Sequence, residues 1–199
     1  MSDHHHDHEH DHEHAHEHDD DDAGIDVEVE ARRQLALAQI RQYGDPALRM
    51  QANEVAEVDD DVRRLVERMT SLMEDAQGVG LAATQVGVLR RIFVFVDGDE
   101  GPQAIVNPVF TERADESEPE EEGCLSLQGV KVPVERSVRV VLEGLDAAGA
   151  PVRHELEGYS ARVVQHELDH LDGVLILDRT DDEHRKEALR VLRPRVVLR

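Results

Sequence analysis

The sequence predicts an α+β fold in which antiparallel β-sheets pack around a central helix that carries HELDH. N-terminal helices precede the sheets, and a short C-terminal helix follows the central one. Two helical patterns come first, several strand patterns follow without intervening helices, and two helical patterns end the chain. This order differs from the alternating βαβ units of a parallel sheet and is typical of the α+β class.

The first 22 residues differ from the rest of the chain. They contain nine histidines, ten acidic residues and no lysine or arginine, so they can bury almost no apolar surface. We therefore predict a disordered tail over residues 1–22 and one folded domain over residues 23–199. We expect the tail to be an inert, solubilising segment. The alternative is a loose metal reservoir, which metal titration of full-length and tail-deleted protein would distinguish.

Two patterns predict helices before the strands. Residues 30–43 place apolar side chains at helical spacing and end at the Gly44-Asp45-Pro46 break. Residues 59–76 have acidic residues in the first turn, which favours a helix start, and carry one apolar stripe. The stripe consists of Val62, Leu65, Val66, Met69, Leu72 and Met73.

Four patterns in the middle of the chain predict strands. Residues 91–97 are mostly apolar, and residues 103–110 contain a proline, which predicts a broken or edge strand. Residues 139–143 and 152–156 flank the turn-forming segment 146–149, and this arrangement predicts a hairpin.

The last two patterns predict helices. Residues 160–171 include HELDH, with Ser160 as the predicted N-cap and Gly173 as the predicted end of the helix. Residues 181–192 predict a short, charged final helix.

Composition excludes several classes of protein. The net charge is −23, of which the tail contributes −10 and the body −13, so the chain repels nucleic acid and anionic membranes. No apolar run approaches the length of a membrane span. Cys124 is the one cysteine, so no internal disulfide can form, as suits a reducing compartment. The acidic N-terminus does not resemble a secretory or transit signal. We therefore expect a bacterial cytoplasmic protein.

The segment QHELDH at residues 165–170 predicts a metal site. Histidines four positions apart on a helix face the same way, so His166 and His170 can bind one metal ion. Glu167 lies beside the first histidine, where it can act as a general base. The alternative is a solvated helix with chance histidines.

A hydrolytic site of this kind needs a third protein ligand and one open position. The candidates are Cys124, His154, His184 and many carboxylates, and the residues alone leave the choice open. Residues 78–85 form a glycine-rich segment that allows backbone to approach a ligand closely and ends in the amide of Gln85. The alternative is a surface loop.

Three segments together resemble the motifs of the peptide deformylase family. The family motifs are GxGLAAxQ, EGCLS and QHExDH. This sequence has GVGLAATQ at residues 78–85, EGCLS at 122–126 and QHELDH at 165–170, in the same order. The resemblance runs from about Ala31 to about Asp178. Three motifs in order are far more specific than HExxH alone.

The resemblance implies a metal-dependent hydrolase. Cys124, His166 and His170 would bind one divalent ion, and Glu167 would be the general acid and base. The implied native ion is Fe²⁺, with Zn²⁺, Ni²⁺ or Co²⁺ as substitutes.

The resemblance also implies how the substrate is held. Gln85 and the backbone N–H of Leu125 would stabilise the oxyanion. Val79, Gly80 and Gly123 would line the cleft that binds the substrate. The substrate would be the N-formyl-methionyl end of a new polypeptide, and the products would be formate and a free α-amino group.

Other implied partners follow from the substrate. A transient contact with the ribosome is expected, whereas DNA and membranes are not. The most basic stretch, and our candidate for the ribosomal contact, consists of Arg185, Lys186, Arg190, Arg193, Arg195 and Arg199. One departure from the family is Gln128, where a proline is common; we expect an altered loop and retained activity.

Three other functions remain as alternatives. A zincin-like metallopeptidase would also use HExxH but would leave the glycine-rich and EGCLS segments unexplained. A metal-storage protein would have no purpose for Glu167 and Gln85. A deformylase-like protein without activity is disfavoured because all the matching motif residues are present.

Overall fold

The computed structural model describes residues 20–193 and confirms the predicted α+β class. The helices are α1 (Asp20–Leu37), α2 (Asp60–Asp75), α3 (Gly158–Leu171), α4 (Ile176–Arg179) and α5 (Asp182–Leu192). The strands are β1 (Gly80–Ala82), β2 (Ile92–Val96), β3 (Pro102–Arg113), β4 (Ser117–Gly123), β5 (Lys131–Ser137), β6 (Arg139–Leu145) and β7 (Pro151–Glu157). Among the helices of this described part, none is both long and apolar enough to cross a bilayer.

The seven strands form two antiparallel sheets. Five strands pair in the order β1-β2-β3-β6-β7, and β4 pairs with β5 as a separate hairpin. The α3 helix contacts both sheets, through β1, β2 and β7 on one and through β5 on the other. The helix that carries HELDH is therefore central, as the sequence predicted.

The core covers both faces of the larger sheet because β2 is buried on both sides. Ile92 and Val94 pack with α1 and α2, whereas Phe93 and Phe95 point to the opposite face and pack with α3. This alternation is the two-residue period of a strand. A third apolar cluster joins β5 to α4 and α5.

The α2 helix follows the sequence prediction closely. The Asp59 side chain caps it by accepting a hydrogen bond of 2.8 Å from the Val62 N–H. Met69 and Met73 from the predicted stripe are fully buried. The predicted hairpin of residues 139–143 and 152–156 is also confirmed, as β6 and β7.

The α1 helix begins at Asp20 and ends at Leu37, whereas the sequence predicted residues 30–43. The chain turns after Leu37 because the N–H groups of Gln39 and Ile40 bond to carbonyls three residues back, and Ile40 enters the core. Of the predicted tail, residues 1–19 lie outside the described residues, and residues 20–22 are the first three of α1.

One local prediction was wrong, and another was confirmed in one of its two forms. Ser160 does not cap α3, because the helix already begins at Gly158, whose φ of 55° makes the turn out of β7. Residues 103–110 were predicted as a broken or edge strand, and of these two forms the edge strand is excluded because β3 pairs with both β2 and β6. It is broken as predicted, since the pairing register shifts between Val106 and Val109, on either side of Pro108.

Candidate metal centre and active site

The three predicted metal ligands converge at the end of β4 and on one face of α3. The potential ligand atoms of Cys124, His166 and His170 all lie within 4.8 Å of one another. Cys124 Sγ is 3.2 Å from His170 Nε2. The two other candidate histidines lie elsewhere: His154 packs edge-on against Phe95, and His184 Nδ1 pairs with Asp181. The cluster therefore favours Cys124 over the other third ligands that the sequence left open.

The chemistry of the three side chains fits one divalent cation. Cys124 Sγ accepts a hydrogen bond of 3.4 Å from the Ser126 N–H and one of 3.7 Å from Gln85 Nε2. Burial lowers the pKa of His170 well below its usual value. Burial also opposes protonation of His166, but its hydrogen bonds with Cys124 and Glu122 prevail and raise its pKa well above the usual value. A thiolate with two imidazoles suits Zn²⁺ and Fe²⁺, Co²⁺ or Ni²⁺.

The Glu122 carboxylate orients His166. Glu122 Oε2 lies 3.0 Å from His166 Nδ1, which leaves Nε2 of that ring facing the cluster. Glu122 is almost fully buried and also accepts hydrogen bonds from Arg136 and Arg162. Burial opposes its ionisation, but the hydrogen bonds with His166 and Arg136 prevail and lower the pKa of Glu122 to about 2. The carboxylate is therefore a permanent acceptor for His166.

Glu167 is a buried carboxyl group on α3, next to His166 in the sequence. It is 3% exposed, and its Oε2 atom has no hydrogen-bond partner among the described residues. Burial raises the pKa of Glu167 to about 7, against the lowering effect of His166. A carboxyl group with a pKa near neutrality can both take up and release a proton. This arrangement suits a general acid and base.

The Gln85 side chain is buried, so the surface-loop alternative is wrong. It lies in a 3₁₀ turn, Ala83–Val86, directly after β1. Its Oε1 atom accepts a hydrogen bond of 2.8 Å from the Ala82 N–H, and its Nε2 atom donates to Ser126 Oγ at 3.1 Å. These two contacts direct the amide nitrogen towards Cys124.

A cleft of about 690 Å³ opens beside the cluster and is lined by most of the predicted site residues. Those that line it are Val79, Gly80, Gln85, Gly123, Cys124, Leu125, His166 and Glu167, whereas His170 lies behind them and is buried. The Cys124 carbonyl accepts a hydrogen bond of 3.0 Å from the Leu127 N–H. The peptide group between Cys124 and Leu125 is planar and trans, so the N–H of Leu125 points in the direction opposite to the Cys124 carbonyl.

Gln128, the departure from the family pattern, supports the loop after Cys124. Its side chain donates to Gln42 Oε1 at 3.1 Å, and Gln42 donates to the Leu125 carbonyl, also at 3.1 Å. The loop is therefore held by side-chain amides.

The sequence did not reveal the charged residues that surround the ligands. Arg136, Arg162 and Asp169 are all less than 9% exposed. Arg136 donates hydrogen bonds to Asp169 and Glu122, and Arg162 donates one to Glu122. One signal for Arg136 was available: it continues the inward alternation of Val132 and Val134 along β5. A charged residue at an inward position predicts a buried partner.

Comparison with known proteins yields one family. The model of the polypeptide deformylase family matches residues 37–186. A peptide deformylase of Acidothermus cellulolyticus is 46% identical over 160 residues, which cover 80% of this chain and 87% of that protein. One from a Thermotoga species is 49% identical over 141 residues, covering 71% and 85%. The crystal structure of the Ehrlichia chaffeensis peptide deformylase with actinonin has a TM-score of 0.76 at 33% identity, covering 80% and 98%.

Proposed function

The chain belongs to the polypeptide deformylase family, and from this premise we propose that Cys124, His166 and His170 bind its metal ion. Members of this family remove the N-formyl group from new polypeptides, so the chain is a metal-dependent hydrolase. One observation carries the assignment of residues. The three motif segments, which are far apart in sequence, meet at one cleft with their reactive atoms together.

Hydrolysis of a formamide needs a nucleophile, a polarised carbonyl and a proton for the departing amine. A divalent ion, when bound, polarises the formyl oxygen and makes water a stronger nucleophile near neutral pH. The Glu167 carboxylate accepts the proton of the attacking water and later gives it to the departing amine. Its raised pKa suits both steps.

Gln85 and the Leu125 N–H stabilise the negative charge that develops on the formyl oxygen. Both groups line the cleft beside Cys124, and the contacts of Gln85 fix its orientation before the substrate arrives. Donors that are already oriented need no reorganisation during the reaction, which is the source of their catalytic effect.

Val79, Gly80 and Gly123 bind the substrate backbone in an extended form. Gly80 belongs to β1 and Gly123 ends β4, so the cleft has a strand on each side. An extended peptide can hydrogen-bond to such strands, and the glycines leave room for its backbone. Val79 is 40% exposed at the mouth of the cleft and offers an apolar contact.

We further propose Fe²⁺ as the native ion, as the family resemblance implies. We propose the bacterial cytoplasm as the location, because formylated nascent chains are available there. A site with a thiolate ligand is sensitive to oxidation, which suits a reducing compartment. The basic residues Arg185, Lys186, Arg190 and Arg193 on and after α5 are our candidate ribosomal contact. Arg195 and Arg199 lie outside the described residues. Equal cosedimentation with ribosomes after Arg190→Gln and Arg193→Gln would contradict this contact.

The direct test of the function is release of formate from a formyl-methionyl peptide by protein purified anaerobically. We expect formate and a free α-amino group in equal amounts, and one metal ion per chain, identified by elemental analysis of the same sample. An unformylated peptide with an internal amide is the control, and it should remain intact. Cleavage of that internal bond without formate release would support a metallopeptidase instead.

Replacing Cys124 with serine should weaken metal binding by at least about tenfold, because a neutral hydroxyl replaces a thiolate. The measurement is metal content after dialysis against a chelator. His154→Gln is the matched control: it removes a candidate ligand outside the cluster and should leave the metal content unchanged. Equal metal retention in Cys124→Ser and the parent would contradict the ligand role of Cys124.

A further inference from the structure

A chain of buried ion pairs leads from the metal site to the short helix α4. At the metal-site end of this chain, Glu122 contacts His166. Arg136 binds both Glu122 oxygens, at 2.9 and 3.0 Å. The same guanidinium donates through Nη1 to Asp169 Oδ2 at 2.5 Å. Asp169 then receives a two-point contact from Arg179 of α4, at 2.6 and 3.1 Å.

Asp169 connects this chain to the metal ligands a second time. It lies on α3, three residues after His166 and one residue before His170, and is 8% exposed. Its two oxygens accept from three N–H groups of two arginines, one from β5 and one from α4. These contacts fix the rotation of α3 about its axis, and with it the direction of both histidines.

The arginine from α4 also affects how Arg136 is shared. Arg136 lies between two carboxylates, and Arg179 supplies a second positive charge to one of them, Asp169. Without that charge, Asp169 would attract Arg136 more strongly, and the hold of Arg136 on Glu122 would weaken. The orientation and donor strength of His166 would then change, because a carboxylate partner sets both in a metal-bound histidine.

We propose that Arg179 is a positioning residue for the metal ligand His166, acting through Asp169 and the Arg136–Glu122 pair. The inference rests on the proposed ligand set. Arg179 itself touches neither the cleft nor the ligand atoms: its side chain is 47% exposed, and its hydrogen bonds go to Asp169. It thus affects the metal only through the buried pairs.

The chain provides a matched control on the same helix. Arg49 pairs with Asp178, the neighbour of Arg179 in α4, and its side chain is 42% exposed. Its contacts hold α4 without involving Asp169. Arg49→Gln therefore removes one arginine ion pair of α4, as Arg179→Gln does, but leaves the chain of pairs to His166 intact.

The test uses the full chain loaded with Co²⁺, whose visible absorption bands report ligand geometry. For the parent, Arg179→Gln, Arg179→Lys and Arg49→Gln, we would measure five quantities. These are the absorption bands, the rate of Co²⁺ release to a chelator, kcat and KM for a formyl-methionyl peptide, and the melting temperature.

Arg179→Gln should shift the bands, speed Co²⁺ release and lower kcat with little change in KM. The release rate and kcat should each change by about 3- to 10-fold. This is below the range for direct partners of a metal ligand, because the side chains of Asp169, Arg136 and Glu122 lie between Arg179 and His166. Arg179→Lys keeps the charge without the two-point contact and should lie between. Arg49→Gln should keep the parent's bands and release rate, even where it lowers the melting temperature as much.

Absorption bands and a Co²⁺ release rate in Arg179→Gln that equal those of the parent would overturn the inference. Equal losses in both variants would also overturn it, because they would reflect only a loosened α4. A wrong ligand set is recognised by a separate comparison of the parent with Cys124→Ser. If the Co²⁺ bands of Cys124→Ser equal those of the parent, the cation binds elsewhere, and the proposed role of Arg179 is then also wrong.

Discussion

Replacing Glu167 with glutamine is expected to leave the metal bound and to lower kcat for deformylation by about 100- to 10,000-fold, the range for loss of a general acid and base. The amide has nearly the same shape as the carboxylate but cannot take a proton from water. Glu167 is not one of the clustered ligand residues, and its Oε2 atom has no partner in the described structure that glutamine would disrupt. The substitution therefore separates proton transfer from metal binding.

The measurement combines formate release with metal analysis of the same protein. Glu121→Gln serves as the matched control, because it neutralises an exposed carboxylate that also lines the cleft. It should retain a rate within about threefold of the parent, as a surface substitution does. A fully metal-loaded Glu167→Gln protein with parental activity would disprove the role of Glu167. Loss of the metal in that variant would indicate a structural role instead.

The sequence predicted which side chains cluster at the candidate site because their chemistry and local spacing are visible in it. Four-residue spacing places His166 and His170 on one helix face in any α-helix. Cys124 is different: it lies 42 residues from His166, and residue type alone left other third ligands open. The resemblance to a family proposed it, and the fold brought its sulfur next to the histidines.

The residues that the sequence did not reveal depend on distant partners. Arg136 and Asp169 are 33 residues apart and look like ordinary solvent-exposed charges in a chain rich in acidic residues. The hairpin of β4 and β5 was also not predicted, because the run of glutamates in β4 has low strand propensity. The tertiary structure supplies the partner each time: Arg136 pairs with Asp169, and β4 pairs with β5.

Gly80 shows what the fold adds to a motif that the sequence already contained. The glycine-rich segment indicated a close approach of backbone to some other group. The structure identifies that group as the side chain of Glu167, 87 residues later. A Cβ atom at Gly80 would lie 2.3 Å from Glu167 Oε1 and 2.9 Å from its Cγ. Real atoms do not approach so closely, so the carboxylate would have to move.

Gly80→Ala is accordingly expected to lower kcat by about 100-fold, the cost of displacing a catalytic group by about 1 Å. The backbone of β1 should tolerate the change, because its pairing with β2 uses main-chain groups and Gly80 does not have a positive φ. An unchanged circular dichroism spectrum and metal content would verify that the fold and the ligands remain. The kinetic measurement must separate kcat from KM, because Gly80 is also a proposed contact for the substrate backbone.

The double variant Gly80→Ala with Glu167→Gln distinguishes the two routes by which the methyl group could act. If it acts by displacing Glu167, its effect on kcat disappears once the carboxylate is gone, and the double variant is as slow as Glu167→Gln alone. If it acts by blocking the peptide, KM rises in both backgrounds and the two effects multiply. Parental kcat in Gly80→Ala would mean that Glu167 can move aside without loss, which is incompatible with a carboxylate held in place for proton transfer.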